Sequence, residues 1–438
     1  MTQSSTLTAV APPVKHKHPA GLYVLFFTEM WERFGFYCML SILSLYMNES
    51  LGFSTATVGQ IYGAYIALVY FTPLAGGLLA DRWLGFSRAI LLGAVFMGAG
   101  YFLLALPPLP AFFAGLSCVI IGNGLFKPNI STLLGNLYRD RPEKRDEAYN
   151  IFYMGINVGA LFSPLVASYM RTNFGWGFAF AAAGVGMFVS LILFSLLRKH
   201  VAIGETGNLN AASALQEMVL TPAQEKRRIG ALLLVFAIVT VFWMAFHQNG
   251  LTLTFWARDA TATKLKPELS QAINPFFVLA FTPLLVAGWG LLRRRKNEPS
   301  TAAKIGIGML LTAVAYTIMT VAAFSGGDTG RVSINWLIST YGVLTLGELC
   351  LSPMGLSLVN KLAPARMRGL LMGGWFAATA IGNYLSGLVG SFWDQMAHST
   401  LFIILLVASL VAALVLFLVL KQIRPTIQEA EQMALKKG

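Results

Sequence analysis

Long apolar stretches separated by short polar connections dominate the pattern of the chain. Twelve stretches of roughly 20 residues or more, the length that crosses a bilayer as a helix, are bounded by polar residues, Gly and Pro. They cover residues 19–48, 55–80, 88–107, 110–138, 147–171, 175–198, 227–257, 271–293, 302–324, 333–361, 367–394 and 398–421. The pattern predicts an all-α polytopic membrane protein with 12 transmembrane helices.

The longest polar connection divides these spans into two sets of six. We therefore predict an N-terminal cytoplasmic tail (1–18), a six-helix bundle (19–199), a cytoplasmic linker (200–226), a second six-helix bundle (227–421) and a C-terminal cytoplasmic tail (422–438). Two six-helix bundles joined in this way are typical of the major facilitator fold, in which the substrate site lies between the bundles at mid-membrane.

Composition and charge support the membrane interpretation and indicate an orientation. Of 438 residues, 56% are hydrophobic and 12% are charged, against about 25% charged in an ordinary soluble domain. The termini and even-numbered connections hold 25 of the 32 Lys and Arg residues, and the odd-numbered connections hold 5. By the positive-inside rule both termini are cytoplasmic. The net charge of +13 is thus a topology signal, and we expect no nucleic-acid partner.

A charged loop follows the second span. Its sequence, GGLLADRWLGFSR, is close to the G-x-x-x-D-R-x-G-R pattern of major facilitators and contains Asp81, Arg82 and Arg88. Two interpretations stand: a solvated turn with positive-inside charge, or a conformational latch at the cytoplasmic ends of the helices.

Five charged residues lie near the middle of predicted spans: Glu29, Glu32 and Arg33 in TEMWERFGFY, Lys127 in the fourth span and Glu348 in the tenth. Each such charge costs on the order of 3 kcal/mol to place at the membrane centre, and such groups ordinarily mark substrate or proton pathways. Glu29 can neutralise Arg33 at i, i+4 within one helix. A buried ion pair that only fixes helix packing is the alternative, but it would have to explain all five groups together.

These residues carry a resemblance. TEMWERFGFY resembles the E-x-x-E-R-F-x-Y-Y signature of the proton-dependent oligopeptide transporter family. Further stretches that resemble the family are GNGLFKPNIST, FYMGINVGALFSPLVA, FWMAFHQNGLTLTFWA, INPFFV and GELCLSPMGLSLVNKLAPARMRGLLMGGWF. The resemblance implies import of di- and tripeptides coupled to protons, across the inner (plasma) membrane. We expect a monomer whose partners are the peptide, protons and the lipid bilayer.

The resemblance also implies roles for individual residues. Glu32 would be the proton-coupling carboxylate, tuned by Glu29 and Arg33. Arg33 and Lys127 would meet the peptide carboxylate, and Glu348 its ammonium group. The cavity would be lined by Tyr37, Tyr70, Asn157, Gln248, Asn274 and Trp375. Without the motif, the aromatic residues would be assigned to the core and the Asn residues to contacts between helices. Asn383 and Trp289 are assigned to packing.

Gating roles are predicted for Lys127, Glu348 and His247. A Lys127–Glu348 pair would form when the cytoplasmic side is closed. His247 stands where many family members have an acid and would act on the outward gate as a proton-dependent substitute, or would only form hydrogen bonds. Phe36 replaces a tyrosine of the signature, and the segment between the bundles is too short and polar for the two extra helices common in bacterial members.

The sequence also bears on other classes of protein. A major facilitator for another solute, such as a drug, nitrate or an amino acid conjugate, is the alternative, since a fold does not set its substrate. An intramembrane enzyme is disfavoured because the five histidines offer neither a metal set nor a base beside a nucleophile, and a passive channel is disfavoured by the ion-paired centre. The three cysteines all lie in apolar runs, and we predict no metal and no cofactor.

Overall fold

The computed structural model describes residues 18–141, 144–206, 221–364 and 367–435. Twelve long helices occupy this part of the chain, which confirms the predicted helical fold. They are α1 (Ala20–Leu45), α2 (Thr55–Leu84), α3 (Phe86–Leu104), α4 (Leu109–Leu137), α5 (Arg145–Phe174), α6 (Trp176–Leu197), α7 (Pro222–Asp259), α8 (Pro267–Arg294), α9 (Thr301–Ser325), α10 (Ile334–Leu362), α11 (Arg368–Gly390) and α12 (His398–Leu435).

Several helix boundaries differ from the predicted ones. The helix α7 begins at Pro222, inside the predicted linker, and α12 continues to Leu435, inside the predicted C-terminal tail. Most of the remaining linker, and the tail before His18, lie outside the described residues. Among those described, ten helices are long and apolar enough to cross a membrane. The other two are α1, which carries the charged residues of TEMWERFGFY, and the glycine-rich α11.

Local sequence explains where the helices begin and turn. The hydroxyl of Thr221 accepts from the Gln224 amide in a capping box at the start of α7, which satisfies an otherwise unpaired donor. Ser54 caps α2 through the amide of Thr57. The tight turn between α2 and α3 places Gly85 at φ +75°, a left-handed conformation that glycine adopts without steric penalty.

Two pairs of helices join the bundles: α2 packs along α11, and α5 packs against α8. Helices whose numbers differ by six occupy equivalent places in the two halves, so α2 corresponds to α8 and α5 to α11, and the two contacts are equivalent under exchange of the halves. The α2–α11 contact is very close because glycines meet there. A Cβ on Gly59 would lie 2.5 Å from the carbonyl oxygen of Gly387, and one on Gly63 would lie 2.8 Å from the Gly387 Cα. Small residues allow membrane helices this proximity.

The connections between consecutive helices lie on two opposite faces of the molecule. The segment after α6 lies beside the even-numbered connections, where Glu205 accepts from the Ser87 amide (2.7 Å) and Asn136 donates to the Gly204 carbonyl (2.9 Å). We call this the linker face. The opposite side, the distal face, carries the odd-numbered connections; there the hydroxyl of Thr55 donates to Asp394 (2.7 Å). This alternation agrees with the predicted number of crossings.

Candidate functional site

A cavity of about 300 Å³ lies between the two bundles, a volume at the lower end of the range for ligand sites. Helices from both halves line it. The predicted residues that line it are Glu29, Arg33, Tyr37, Tyr70, Lys127, Asn157, His247, Asn274, Glu348 and Trp375. The fold therefore brings together most of the residues singled out in the sequence, although they are spread over more than 300 positions.

A compact charged group on α1 forms one part of the wall. The Arg33 guanidinium pairs with both oxygens of Glu32, with Nη2 to Oε1 at 2.6 Å. Its Nε also lies 3.2 Å from Glu29 Oε1, and Nη2 donates to Asn123 Oδ1 at 3.3 Å. Glu32 is fully buried behind Arg33, whereas Glu29 reaches the cavity and its Oε2 has no hydrogen-bond partner among the described residues. Two carboxylates thus share one guanidinium.

Lys127 on α4 is placed differently from Arg33. Its ammonium lies 4.3 Å from the centre of the Tyr70 ring, a cation–π contact. No carboxylate of the described chain lies within 4.0 Å of it. Lys127 is therefore a half-buried cation at the cavity wall that is available to an anionic ligand.

Glu348 on α10 belongs to the other bundle. Its Oε2 accepts a hydrogen bond of 3.0 Å from Asn274 Nδ2, which also donates to Thr345 Oγ1 at 2.9 Å. Lys127 and Glu348 are not paired in this structure, so the predicted gating pair remains a prediction. The two halves present a cation and an anion to the same cavity.

Some predicted residues lie outside the cavity lining. Gln248 donates to the Ser386 carbonyl (2.9 Å) and accepts from Thr252 Oγ1 (2.9 Å), so it ties the break in α7 to α11. Asp81 and Arg82 are exposed on the linker face, where the latch remains a prediction.

Arg88, Trp289 and Asn383 also lie away from the cavity lining. Arg88 lies beside Arg198 and Lys199 in a separate pocket. Trp289 packs under the Lys304 ammonium at 4.7 Å, and Asn383 is fully buried on α11.

Asn123, Tyr62, Tyr153 and Trp243 were missed by the sequence reasoning. Asn123 is fully buried, donates to the Val69 carbonyl at 2.8 Å and accepts from Arg33. It stands one helical turn before Lys127, and a polar residue at that spacing in an apolar span was a usable signal. The other three line the cavity, but aromatic residues are common in this chain, and nothing in the sequence separates a lining ring from a packing ring.

Ion pairs close the distal face between the bundles. Arg171 at the end of α5 pairs with Glu268 at the start of α8 (2.8 Å) and with Glu49 (2.6 Å). Arg258 at the end of α7 donates to Asn48 (2.7 Å) and lies 3.7 Å from Glu49. Glu268 is fully buried. We call these five residues the distal network; they hold the halves together on one side of the cavity.

Twelve membrane-length helices in two bundles, with a charged central cavity and a closure on one face, define a multi-pass transporter of the alternating-access class. The chain belongs to the POT family, whose family model matches residues 87–219 and 198–405. The expected family and fold are thereby confirmed. Such a protein is a transporter and not an enzyme.

Individual relatives agree with this assignment. "Uncharacterized transporter YclF" of Bacillus subtilis is 33% identical over 89% of this chain and 92% of its own length. "Dipeptide and tripeptide permease A" of Klebsiella pneumoniae is 33% identical over 86% of this chain and 84% of its own length. A crystal structure of a peptide transporter POT in complex with sulfate superposes with a TM-score of 0.85 at 30% identity, covering 94% of this chain and 96% of that one.

Proposed function

We propose that the protein is a proton-coupled symporter that imports di- and tripeptides across the inner (plasma) membrane by alternating access. Both termini face the cytoplasm in this proposal, the linker face is the cytoplasmic face, and the monomer is the working unit. The observation that carries the proposal is the separation of charge across the cavity: Lys127 has no carboxylate of the described residues within ion-pair distance, and Glu348 lies in the opposite bundle.

A zwitterionic peptide matches this arrangement. Its carboxylate meets the cationic wall, and its ammonium meets Glu348, which Asn274 holds by a hydrogen bond. Asn157 also lines the cavity, and its amide offers both a donor and an acceptor to the peptide backbone. The volume of about 300 Å³ suits a small peptide better than a large amphipathic drug.

Proton coupling is assigned to Glu29, Glu32 and Arg33. Arg33 carries one positive charge against two buried carboxylates, so the group has an excess negative charge when both are ionised. Burial of an uncompensated charge is costly, and uptake of one proton would leave a neutral pair. We place that proton on Glu32 when substrate is carried inward, with Glu29 as its neighbour at the cavity.

Transport would then follow from exchange of ion pairs between the two faces. The distal network holds the outward side closed in the present state. When the linker face closes, Lys127 and Glu348 pair across the cavity, and the distal network separates. His247 lies in the cavity wall and not within the distal network, and its role at the outward gate stays a prediction.

Uptake of a radiolabelled dipeptide by proteoliposomes tests the proposal. We expect an inward proton gradient to drive accumulation by the wild type, and Glu32→Gln to abolish this accumulation while counterflow exchange remains. Glu298→Gln, which changes a carboxylate in the α8–α9 connection, is the matched control and should accumulate peptide normally. Accumulation by Glu32→Gln at the wild-type level would refute the assignment of the proton, and absence of peptide uptake by the wild type would refute the substrate.

A further inference from the structure

A second cavity, on the linker face, is bordered by three cations. It measures about 420 Å³ and lies where the α2–α3 turn meets the end of α6 and the segment that follows it. Arg88 from the first turn of α3, and Arg198 and Lys199 from the turn after α6, are exposed around it. No carboxylate of the described residues lies within 4.0 Å of these three side chains. We call this cavity the linker-face pocket.

The linker-face pocket also contains Glu205, whose carboxylate is already engaged. Its Oε1 accepts a hydrogen bond of 2.7 Å from the Ser87 amide, and a Cβ on Gly85 would lie 3.5 Å from its Oε2. Glu205 thus fastens the segment after α6 to the start of α3 and holds the walls of the pocket together. Three positive charges against one negative charge leave the pocket with a net charge of +2, which suits an anionic ligand.

The packing of α3 against α6 brings the linker-face pocket to the depth of the lipid headgroups. Phe102 of α3 contacts Phe188 of α6, with ring centres 5.6 Å apart, so the two helices run antiparallel from that contact to the pocket. Arg198 and Lys199 follow immediately after the last residue of α6, and Arg88 lies in the first turn of α3. Cations at the ends of membrane helices reach the interface and not the hydrocarbon.

Apolar side chains beside these cations are also exposed. Trp83 is 73% exposed, Leu196 72% and Ile203 73%. Tryptophan is enriched at membrane interfaces because its ring is amphipathic, and exposed apolar surface next to a polar rim is typical of a membrane contact. A soluble anion would use the cations alone, whereas a phospholipid would use the cations and the apolar side chains together.

We propose that the linker-face pocket binds the phosphate headgroup of an anionic phospholipid. Arg88, Arg198 and Lys199 donate charge-assisted hydrogen bonds to the phosphate oxygens, and Trp83 and Leu196 contact the glycerol and the first acyl carbons. Basic pockets between membrane helices recognise lipid headgroups in this way. Because the cations come from both α3 and α6, the bound lipid joins these helices and stabilises the first bundle. The site is separate from the central cavity and does not depend on the transported substrate.

Thermal unfolding of the purified protein in detergent tests the site. We expect phosphatidylglycerol to raise the unfolding temperature in a saturable manner, and zwitterionic phosphatidylcholine at the same concentration to leave it unchanged. Native mass spectrometry counts the lipid molecules that remain bound. Each cation at a lipid surface corresponds to roughly a 5-fold change in affinity. Arg88→Gln/Arg198→Gln/Lys199→Gln should therefore weaken binding of phosphatidylglycerol by about 100-fold.

Two further variants separate the pocket from general basic charge. Arg294→Gln/Arg295→Gln/Lys296→Gln is the matched control, because it removes three exposed cations from the same face, at the end of α8 in the second bundle. It should bind phosphatidylglycerol with the wild-type affinity. The single variant Lys199→Gln changes one exposed side chain and should weaken binding by roughly 5-fold, which keeps the test decisive if the triple variant is unstable.

Three results would overturn the inference. Equal weakening in the α8 control variant would mean that any basic cluster on this face attracts anionic lipid. Wild-type affinity in Lys199→Gln and in the triple variant of the pocket would place the bound lipid elsewhere. A rise of the unfolding temperature with sn-glycerol 3-phosphate as large as that with phosphatidylglycerol would make a soluble phosphate the ligand instead of a lipid.

Discussion

Removal of Arg171 should open the distal face. This residue of the first bundle holds two carboxylates, Glu49 and the fully buried Glu268 of the second bundle, at 2.6 and 2.8 Å. In Arg171→Met the apolar side chain keeps much of the volume but removes the charge. Glu268 is then left buried and unpaired while the distal face is closed, and it becomes hydrated when that face opens. The closed state alone is therefore destabilised.

The expected magnitude follows from the burial of Glu268. Breaking a buried pair by removing one partner costs about 3–5 kcal/mol, and each 1.4 kcal/mol is a tenfold change in an equilibrium. Relaxation of the structure and penetration of water limit the cost, so we expect the ratio of distal-closed to distal-open protein to fall by about 100-fold near pH 7.5. The double variant Arg171→Met/Glu268→Gln should recover part of the closed population, because no unpaired charge remains.

Double electron–electron resonance measures the opening of the distal face as a distance between two spin labels. Spin labels at Asn173→Cys and Lys264→Cys, both exposed on the distal face, would be introduced after replacing the native cysteines. We expect a longer inter-label distance in Arg171→Met than in the parent protein. Arg293→Met is the control: its ion pair with Glu298 lies within the second bundle on the linker face, and the distance should be unchanged. A parent-like distance in Arg171→Met would refute the gating role of the distal network.

Three further outcomes are expected. Glu348→Gln should weaken binding of a free dipeptide by roughly 10-fold or more but leave its N-acetyl form unaffected, as measured by competition. Gly63→Val should lower the unfolding temperature in detergent, because the added Cβ would lie 2.8 Å from the Gly387 Cα and overpacking costs about 1–3 kcal/mol. The pKa of Glu298 is held at about 2, chiefly by hydrogen bonds from Arg293. Glu298→Gln should thus be less stable by at most about 1 kcal/mol above pH 4.5, and this difference should vanish as the pH falls towards 2.

Controls distinguish these effects from general damage. Gly288→Val adds the same side chain where, apart from the adjacent residues and its own helix backbone, no described atom lies within 4 Å of the new Cβ, and it should unfold at the wild-type temperature. Equal loss of free and N-acetyl dipeptide in Glu348→Gln would contradict ammonium recognition. A stability difference for Glu298→Gln that persists or grows at low pH would have the wrong sign for a carboxyl whose pKa is lowered in the folded state.

The membrane architecture was predictable because it depends on local properties of the chain. A bilayer requires about 20 consecutive apolar residues and paired backbone groups, so the length and spacing of the apolar runs determine the number of helices. The charged residues at mid-span were equally visible, since each is exceptional against an apolar background. Helix α1 shows where apolarity alone stops identifying a membrane helix. Its three charged residues mark it as functional, and because of them it is one of the two helices that are less apolar than a simple span.

Only the tertiary structure decided which side chains remain available to a ligand. The sequence presents Arg33 and Lys127 as two similar mid-membrane cations, yet Asn123 from α4 and two carboxylates occupy the first. The second lies over an aromatic ring and has no carboxylate of the described residues within 4.0 Å. The sequence likewise presents Gln248 and His247 as neighbours, but the break in α7 directs one to α11 and the other to the cavity. The distal network joins Glu49, which follows α1, to Arg171 at the end of α5 and to Glu268 at the start of α8. Contacts of this kind depend on how far apart distant segments lie in the folded protein, which the periodicity of the sequence does not encode. The apolar pattern, in contrast, specifies each helix separately.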